Sequence, residues 1–320
     1  MSLPQTTSNW DRLLADDQAL RAGVTTIAQR HGLAAEMPLR CAGGSLPVYT
    51  LGEHHVLKLY PPQDASHAEV EARVLDFVNG RLPLRTPTRL ASGALDGWAY
   101  LLMSRLRGRL AVDVWPELER SAQLALCEQL GKSLAALHAL DVAPLADLPP
   151  PRWPEFIGHQ RASAVQRQRE RGLAEPWLAQ IDGFLDRWAV IPGEAPGEAT
   201  VLLHTEVMRE HLLVEVDDGR VRFGGLFDFE PAMLGRRDYE FASVGLFVAC
   251  GDGQAQRRLL LAYGFATTQL DHALQCRFMA QALLHRYSNL PWYLRRLPCA
   301  GATTLEQLAA HWWALPGVQP

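Results

Sequence analysis

Lysine is nearly missing from this chain: Lys58 and Lys132 are the only two, and every other basic side chain of fixed charge is an arginine. That scarcity makes each lysine position informative. The five cysteines, Cys41, Cys127, Cys250, Cys276 and Cys299, stand far apart without a CxxC pair, which argues against a disulfide framework and a cysteine-rich zinc site. No apolar run is long enough to span a bilayer, since "FASVGLFVAC" (241 to 250) is about half a span. The opening "MSLPQTTSNWDRLLADD" has neither the basic nor the apolar region of a secretion signal, so a soluble cytoplasmic protein without a membrane partner is expected. The arginines are scattered among acids and the formal charge is −4, which speaks against nucleic acid as a partner. Internal repeats and low-complexity tracts are absent, and nothing in the sequence speaks to oligomeric state.

What is present is a chain of 320 residues, 48% hydrophobic, enough to bury one large core or two modest ones. "DRLLADDQALRAGVTTIAQRHGL" has helical apolar spacing in two short pieces. "PLRCAGG", "LPVYTLG" and "HHVLKLY" then read as a three-stranded meander separated by glycine turns. A helix is predicted next, capped by Ser66, with Val70, Val74, Phe77 and Val78 on one face and Gly80 at its end. "PTRLASG" and "GWAYLLMSRL" supply two further strands.

From "RLRGRL" onward the texture is helical. A long amphipathic helix is predicted over 117–140, two more near 155–171 and 175–190, and later ones at 238–249, 254–264, 270–287 and 303–314. They are interrupted by one hairpin, "HLLVEV" and "VRFGGLFDF", turned at Asp218-Gly219. The predicted class is α+β: a small antiparallel five-stranded lobe with one helix over residues 1–105, and a mainly helical lobe over 106–320.

This layout, with a lysine in the third strand, a glutamate in the next helix, a histidine loop before the hairpin and an aspartate at its end, resembles the protein-kinase-like fold. From about residue 36 to 315 the chain is similar to the aminoglycoside phosphotransferase and choline kinase family. The resemblance implies ATP as donor, Mg2+ as its ion with Mn2+ as an alternative, and a small-molecule hydroxyl as acceptor. ATP versus GTP stays open.

Lys58 sits among apolar residues of a strand, where an ammonium must emerge toward water or an anion; the resemblance makes it the contact to nucleotide phosphates. Glu71 would hold Lys58 by an ion pair, with Glu69 on another helix face as the alternative. Gly43 and Gly44 would lay backbone amides over the phosphates, although no full GxGxxG motif is present. Main-chain groups from Ser104 to Leu106 would meet the base.

The family's catalytic loop carries a histidine, any residue, an aspartate, then four residues and an asparagine. Here "HTEVMREHLLV" (204 to 214) places Glu206 at the aspartate and His211 at the asparagine, with His204 as the anchor of the loop. A glutamate of ordinary pKa near about 4.3 is ionised at neutral pH and can orient a hydroxyl and accept its proton late. Its extra methylene moves the carboxylate by about 1.5 Å, so the loop must accommodate it. Imidazole is a poor ligand for magnesium, which favours a hydrogen-bonding role for His211 with Asp228 carrying the ion. A metal role for His211 stays open. Asp228 follows the hairpin in "GLFDFEPAMLG", Glu230 is a candidate second acid, and Glu240 in "GRRDYEFA" is expected to tie the catalytic loop.

For the acceptor, residues 243–320 hold only Asp252, Asp271 and Glu306 against six arginines, which disfavours a polycationic aminoglycoside. Asp113, Glu117, Glu155 and Glu175 could still serve one. A hygromycin-like aminocyclitol or a hydroxylated metabolite fits the charge better, and "HRYSNLPWYLRR" (285 to 296) is either an acceptor wall or helix packing. Two other readings stay open: a catalytically impaired nucleotide-binding pseudokinase or scaffold, and a zinc hydrolase on His204, Glu206, His211 and Asp228, which lacks the HExxH spacing.

Overall fold

The computed structural model describes residues 3–4, 13, 16–33, 35, 37–150, 152–189, 199–217 and 219–318. The chain forms two compact units: Met1–Gly80 with Arg85–Arg107 and Gly225–Pro231, and Arg81–Leu84 with Gly108–Gly224 and Ala232–Pro320. Residues 225–231, which the sequence division puts in the helical part, group with the first unit because their polar groups bond to its lysine and glutamate, as shown below.

The first unit opens with α1 (Asp17–Arg30), the second of the two predicted helical pieces; of the first piece only Leu13 is described, and it is helical. Residues 11, 12, 14 and 15 of that first piece lie outside the described set. Strands β1 (Pro38–Arg40), β2 (Val48–Leu51), β3 (His55–Tyr60), β4 (Arg89–Leu95) and β5 (Trp98–Ser104) make one antiparallel sheet in the order β1-β2-β3-β5-β4. Strand β3 is therefore central, paired to β2 and β5, and Lys58 lies opposite Val48 on one side and Leu101 on the other. Its side chains alternate. Leu57 and Leu59 point into a core shared with Leu20, Val24, Ile27 and Ala28 of α1, so Lys58 and Tyr60 face the other way. On that side lies α2 (Ala65–Val78), which buries Val70, Val74, Phe77 and Val78 as the periodicity predicts. Ser66 is not its cap: the helix begins at Ala65, and Asp64 precedes it without a capping bond.

In the second unit, β6 (Arg109–Leu110) is followed by α3 (Ala111–Val114) and the long α4 (Arg120–His138). Next come α5 (Trp153–Glu170) and α6 (Glu175–Trp188); the last position of the predicted 175–190 helix is outside the described residues. Strand β7 (Val201–Leu203) pairs antiparallel with β10 (Met233–Gly235), a two-stranded sheet the apolar pattern does not reveal because both strands have three residues. The hairpin is β8 (Leu212–Asp217) and β9 (Arg220–Leu226), with β6 added at its edge. Asp218 of its turn is not described, while Gly219 has φ +75.

The predicted 238–249 helix is a composite: a 3-10 turn at Arg237–Tyr239, α7 (Glu240–Val244), and a π turn over Gly245–Ala249 that ends with Cys250 in the left-handed region. Then α8 (Gly253–Tyr263), α9 (His272–Leu284), α10 (Leu290–Arg296) and α11 (Leu305–Trp312) complete the unit. Helix α9 stops three residues short of the predicted 270–287 span, since His285 leaves the helix with ψ 141. Helix α10, with proline near its start and an Asn289 cap, falls between the predicted 270–287 and 303–314 helices, where the sequence reading assigned no element. Among the described residues no helix is long and apolar enough to cross a membrane.

Candidate active site

In the first unit one ammonium gathers three carboxylates. Lys58 Nζ donates to Glu71 Oε2 at 2.9 Å and to Asp228 Oδ1, and lies 2.6 Å from Glu230 Oε2. The Glu230 contact is off the donor direction, an ionic approach without an aligned hydrogen bond. Glu71 is the helix acid that reaches the lysine: it is 1% exposed, whereas Glu69 faces out. Its carboxylate also accepts from the Tyr60 hydroxyl and, through Oε1, from the Phe229 amide at 3.1 Å. Tyr60 stands two residues beyond Lys58 on β3, so strand alternation brings its ring beneath the ammonium, 5.3 Å from the centroid.

Burial pulls the Lys58 pKa down, yet Asp228 and Glu71 outweigh it and hold it well above the ordinary value. Glu230 goes the opposite way. Burial, opposed by Lys58 and reinforced by Asp228 and Glu71, pushes its pKa up to about 7. One positive charge thus faces three acids whose ligand oxygens lie within 4.8 Å of one another. Asp228 itself has φ +72, in the left-handed region that aspartate enters more readily than most non-glycine residues. Hard oxygens with surplus negative charge suit a divalent ion such as magnesium.

In the second unit, the loop after β7 is pinned by its main chain. Glu240, fully buried at the start of α7, accepts from the amides of His204 at 2.7 Å and Thr205 at 2.9 Å, the tie expected of it. His138 Nε2 approaches the same carboxylate at 3.5 Å. Thr205 is buried with φ +73. The Glu206 amide donates to His204 Nδ1 at 3.3 Å, and His211 Nδ1 meets the Glu206 carbonyl at 2.9 Å. A carbonyl oxygen can only accept, so Nδ1 of His211 bears a proton and donates it. His211 therefore holds the backbone of Glu206. Arg209 anchors the far end, stacked 4.0 Å over Trp115 and donating to the Val248 carbonyl.

The other predicted positions are more mixed. Gly43 and Gly44 lie in the exposed turn between β1 and β2 with φ +82 and +84, which requires glycine whatever it meets. The Ser104 and Arg105 amides are spent on the carbonyls of Thr88 and His54, at 2.9 and 2.7 Å. Within 285–296 both readings find residues: Tyr287 and Trp292 are exposed, while Tyr293 is buried and packs against Trp312. Asp113, Glu117, Glu155 and Glu175 are all exposed, and two of them already pair with arginine, Glu117 with Arg109 and Glu155 with Arg152.

Tyr60 and His285 escape the sequence reading. For Tyr60 the signal was available, because i and i+2 share a strand face; for His285 none was, its partner being eighty positions away.

Among family models, the one described as the phosphotransferase enzyme family, APH, matches residues 40–274. Solved structures agree in fold. The GDP complex of wild-type aminoglycoside 2'-phosphotransferase IIIa superposes with a TM-score of 0.68 at 16% identity, covering 90% of this chain and 97% of that one. Macrolide 2'-phosphotransferase MphH from Brachybacterium faecium gives 0.58 at 21% identity, covering 92% and 98%. A streptomycin and ATP ternary complex of the aminoglycoside phosphotransferase APH(2") IIa gives 0.58 at 13% identity, covering 80% and 88%.

Proposed function

The chain belongs to the phosphotransferase enzyme family, and on that premise we propose that it transfers the terminal phosphoryl group of ATP to a hydroxyl of a small molecule. The observation that carries this reading is the bonding of Lys58 to both Glu71 and Asp228, residues 13 and 170 positions away.

In this reading Lys58 meets the nucleotide phosphates and Glu71 fixes it there, the Glu71 carboxylate being oriented in turn by Tyr60 and the Phe229 amide. Asp228 and Glu230 would hold magnesium, or manganese, which when bound neutralises charge on the phosphates. Gly43 and Gly44 cover the phosphates, and the Leu106 amide is the hinge donor left for the base once Ser104 and Arg105 are spent. Glu206 orients the acceptor hydroxyl and takes its proton late, as a loose phosphoryl-transfer transition state requires. His211 contributes through the backbone of Glu206. A magnesium-ligand role for His211 is not favoured, since imidazole nitrogen suits zinc, copper or nickel whereas magnesium takes hard oxygen ligands.

For the acceptor, a weakly cationic aminocyclitol or a neutral hydroxylated metabolite fits the charge better than a polycation, because two of the four available acids are already neutralised by arginine. The test is ATP consumption by the purified chain against a panel of aminoglycosides, aminocyclitols, macrolides and hydroxylated metabolites, with magnesium and manganese compared. Turnover that depends on one acceptor supports the proposal. Tight ATP binding without turnover on any acceptor would instead mark a catalytically impaired nucleotide-binding protein.

A further inference from the structure

We propose that His285 is a positioning residue for Glu206: by donating to the carbonyl of Thr205 it sets the orientation of the peptide from which the Glu206 side chain departs. The inference rests on the reading of Glu206 as the group that guides the acceptor hydroxyl.

The ring of His285 is buried and fixed on each side. The Tyr287 amide approaches Nδ1 at 3.2 Å, and Nε2 lies 3.1 Å from the Thr205 carbonyl oxygen. An amide can only donate and a carbonyl can only accept, so the proton resides on Nε2 and the tautomer is determined by both neighbours. The ring stacks on Tyr239 with centroids 4.8 Å apart and planes at 22°. The segment that carries it is held in turn. Arg167 donates to the His285 carbonyl at 3.0 Å, and Arg171 donates to the carbonyls of Tyr287 and Ser288.

Thr205 explains why such a donor is required. A β-branched residue at φ +73 is strained, at a cost of about 1–3 kcal/mol, and the conformation persists only if its surroundings over-determine it. Glu240 grips its N–H and His285 grips its carbonyl. Without the His285 bond the carbonyl of the Thr205–Glu206 peptide loses its donor. The long Glu206 N–H bond to His204 Nδ1, at 3.3 Å, then holds the peptide less firmly against rotation toward an unstrained conformation. That would swing the Cα of Glu206, and a carboxylate on a long side chain would carry the error to the reacting oxygen. Burial, aided by Arg286, lowers the His285 pKa to about 4, so the donor and acceptor pattern of the neutral ring holds at physiological pH.

The experiment uses the full chain with water as acceptor: magnesium-dependent ATP hydrolysis, alongside amide hydrogen exchange over residues 204–211. His285→Leu removes the donor, whereas His285→Gln retains an N–H of similar reach. The leucine variant is expected to lower kcat about 10- to 100-fold with the KM for ATP within about twofold, and to speed exchange in 204–211 but not in β3 or α2. The glutamine variant restores kcat to within about threefold, and in a Glu206→Gln background His285→Leu adds no further loss. Losses that multiply with Glu206→Gln, or unchanged exchange in 204–211, would overturn the proposal. Full hydrolysis by Glu206→Gln alone would instead remove the role assigned to Glu206, and the exchange measurement would still decide whether His285 holds Thr205.

Discussion

Asp228 and Glu206 are the side chains on which the proposed chemistry turns, and their surroundings say how each should respond to change. Replacing Asp228 leaves Lys58 bonded to Glu71 and near Glu230, so the fold should survive. Asp228→Ala is expected to lower acceptor-dependent turnover by at least about 10²- to 10³-fold with an unchanged far-UV spectrum; full activity would refute the assignment. Glu206→Gln keeps the backbone contacts of the loop and removes only the charge. Its turnover should fall about 10²- to 10⁴-fold while ATP affinity, measured by titration calorimetry, shifts little. His285 yields a prediction about pH. Its folded pKa of about 4 lies below the ordinary 6.5, so between those values the unfolded chain binds the extra proton. Stability should therefore fall as pH drops from 6.5 toward 4, by an amount on the order of 3 kcal/mol, and the slope should flatten in His285→Gln. Unfolding midpoints across that range check the sign. How these residues were legible differs. Lys58 stood out because lysine is scarce and strand flanks are apolar, and Asp228 because a hairpin precedes it. The choice between Glu69 and Glu71 needed the structure, since helix phase relative to a neighbouring sheet is a tertiary property.

Among the elements, β3 does the most to build the site. Its central place in the sheet buries Lys58 and Tyr60 on one face while Leu57 and Leu59 enter the core on the other. Helices α4 and α8 depend on close approach. A Cβ on Gly131 would collide with the Leu259 carbonyl and crowd the Tyr263 amide. Backbone cannot yield as a flexible side chain does, so Gly131→Ala is expected to destabilise by about 1–3 kcal/mol, read as a lower denaturant midpoint at unchanged slope. At Gly245 in the π turn a Cβ would meet a side chain instead, the Trp313 indole, which is fully buried and held by donating to the Phe241 carbonyl. Element type was legible from apolar spacing for the longer strands and helices. Short strands β7 and β10, the π turn and the end of α9 were not, because periodicity averages over several residues and these features are decided by one or two.

For the molecule as a whole, ligand binding should appear as stability. Three carboxylates surround one ammonium in the first unit, and the surplus negative charge there disfavours nucleotide phosphates unless a cation accompanies them. ATP with magnesium at about 100 times its Kd should add about 2.7 kcal/mol, seen as a higher thermal midpoint. ATP with a chelator should add much less. Equal shifts under both conditions would count against Asp228 and Glu230 as the ion's holders.

By itself the sequence determined the order and kind of the main elements, the α+β class, the family likeness, and the positions at which an acid, a base or a phosphate contact was to be sought. Those follow from local spacing and residue type, which act over a few positions along the chain. Only the tertiary structure decided that Glu71 takes the lysine, that Tyr60 and the Phe229 amide orient it, that residues 225–231 join the sheet unit, and that His285 grips Thr205. Each of these is a directional polar contact formed between segments far apart in sequence, and its partner is selected by burial and geometry that exist only once the chain has folded.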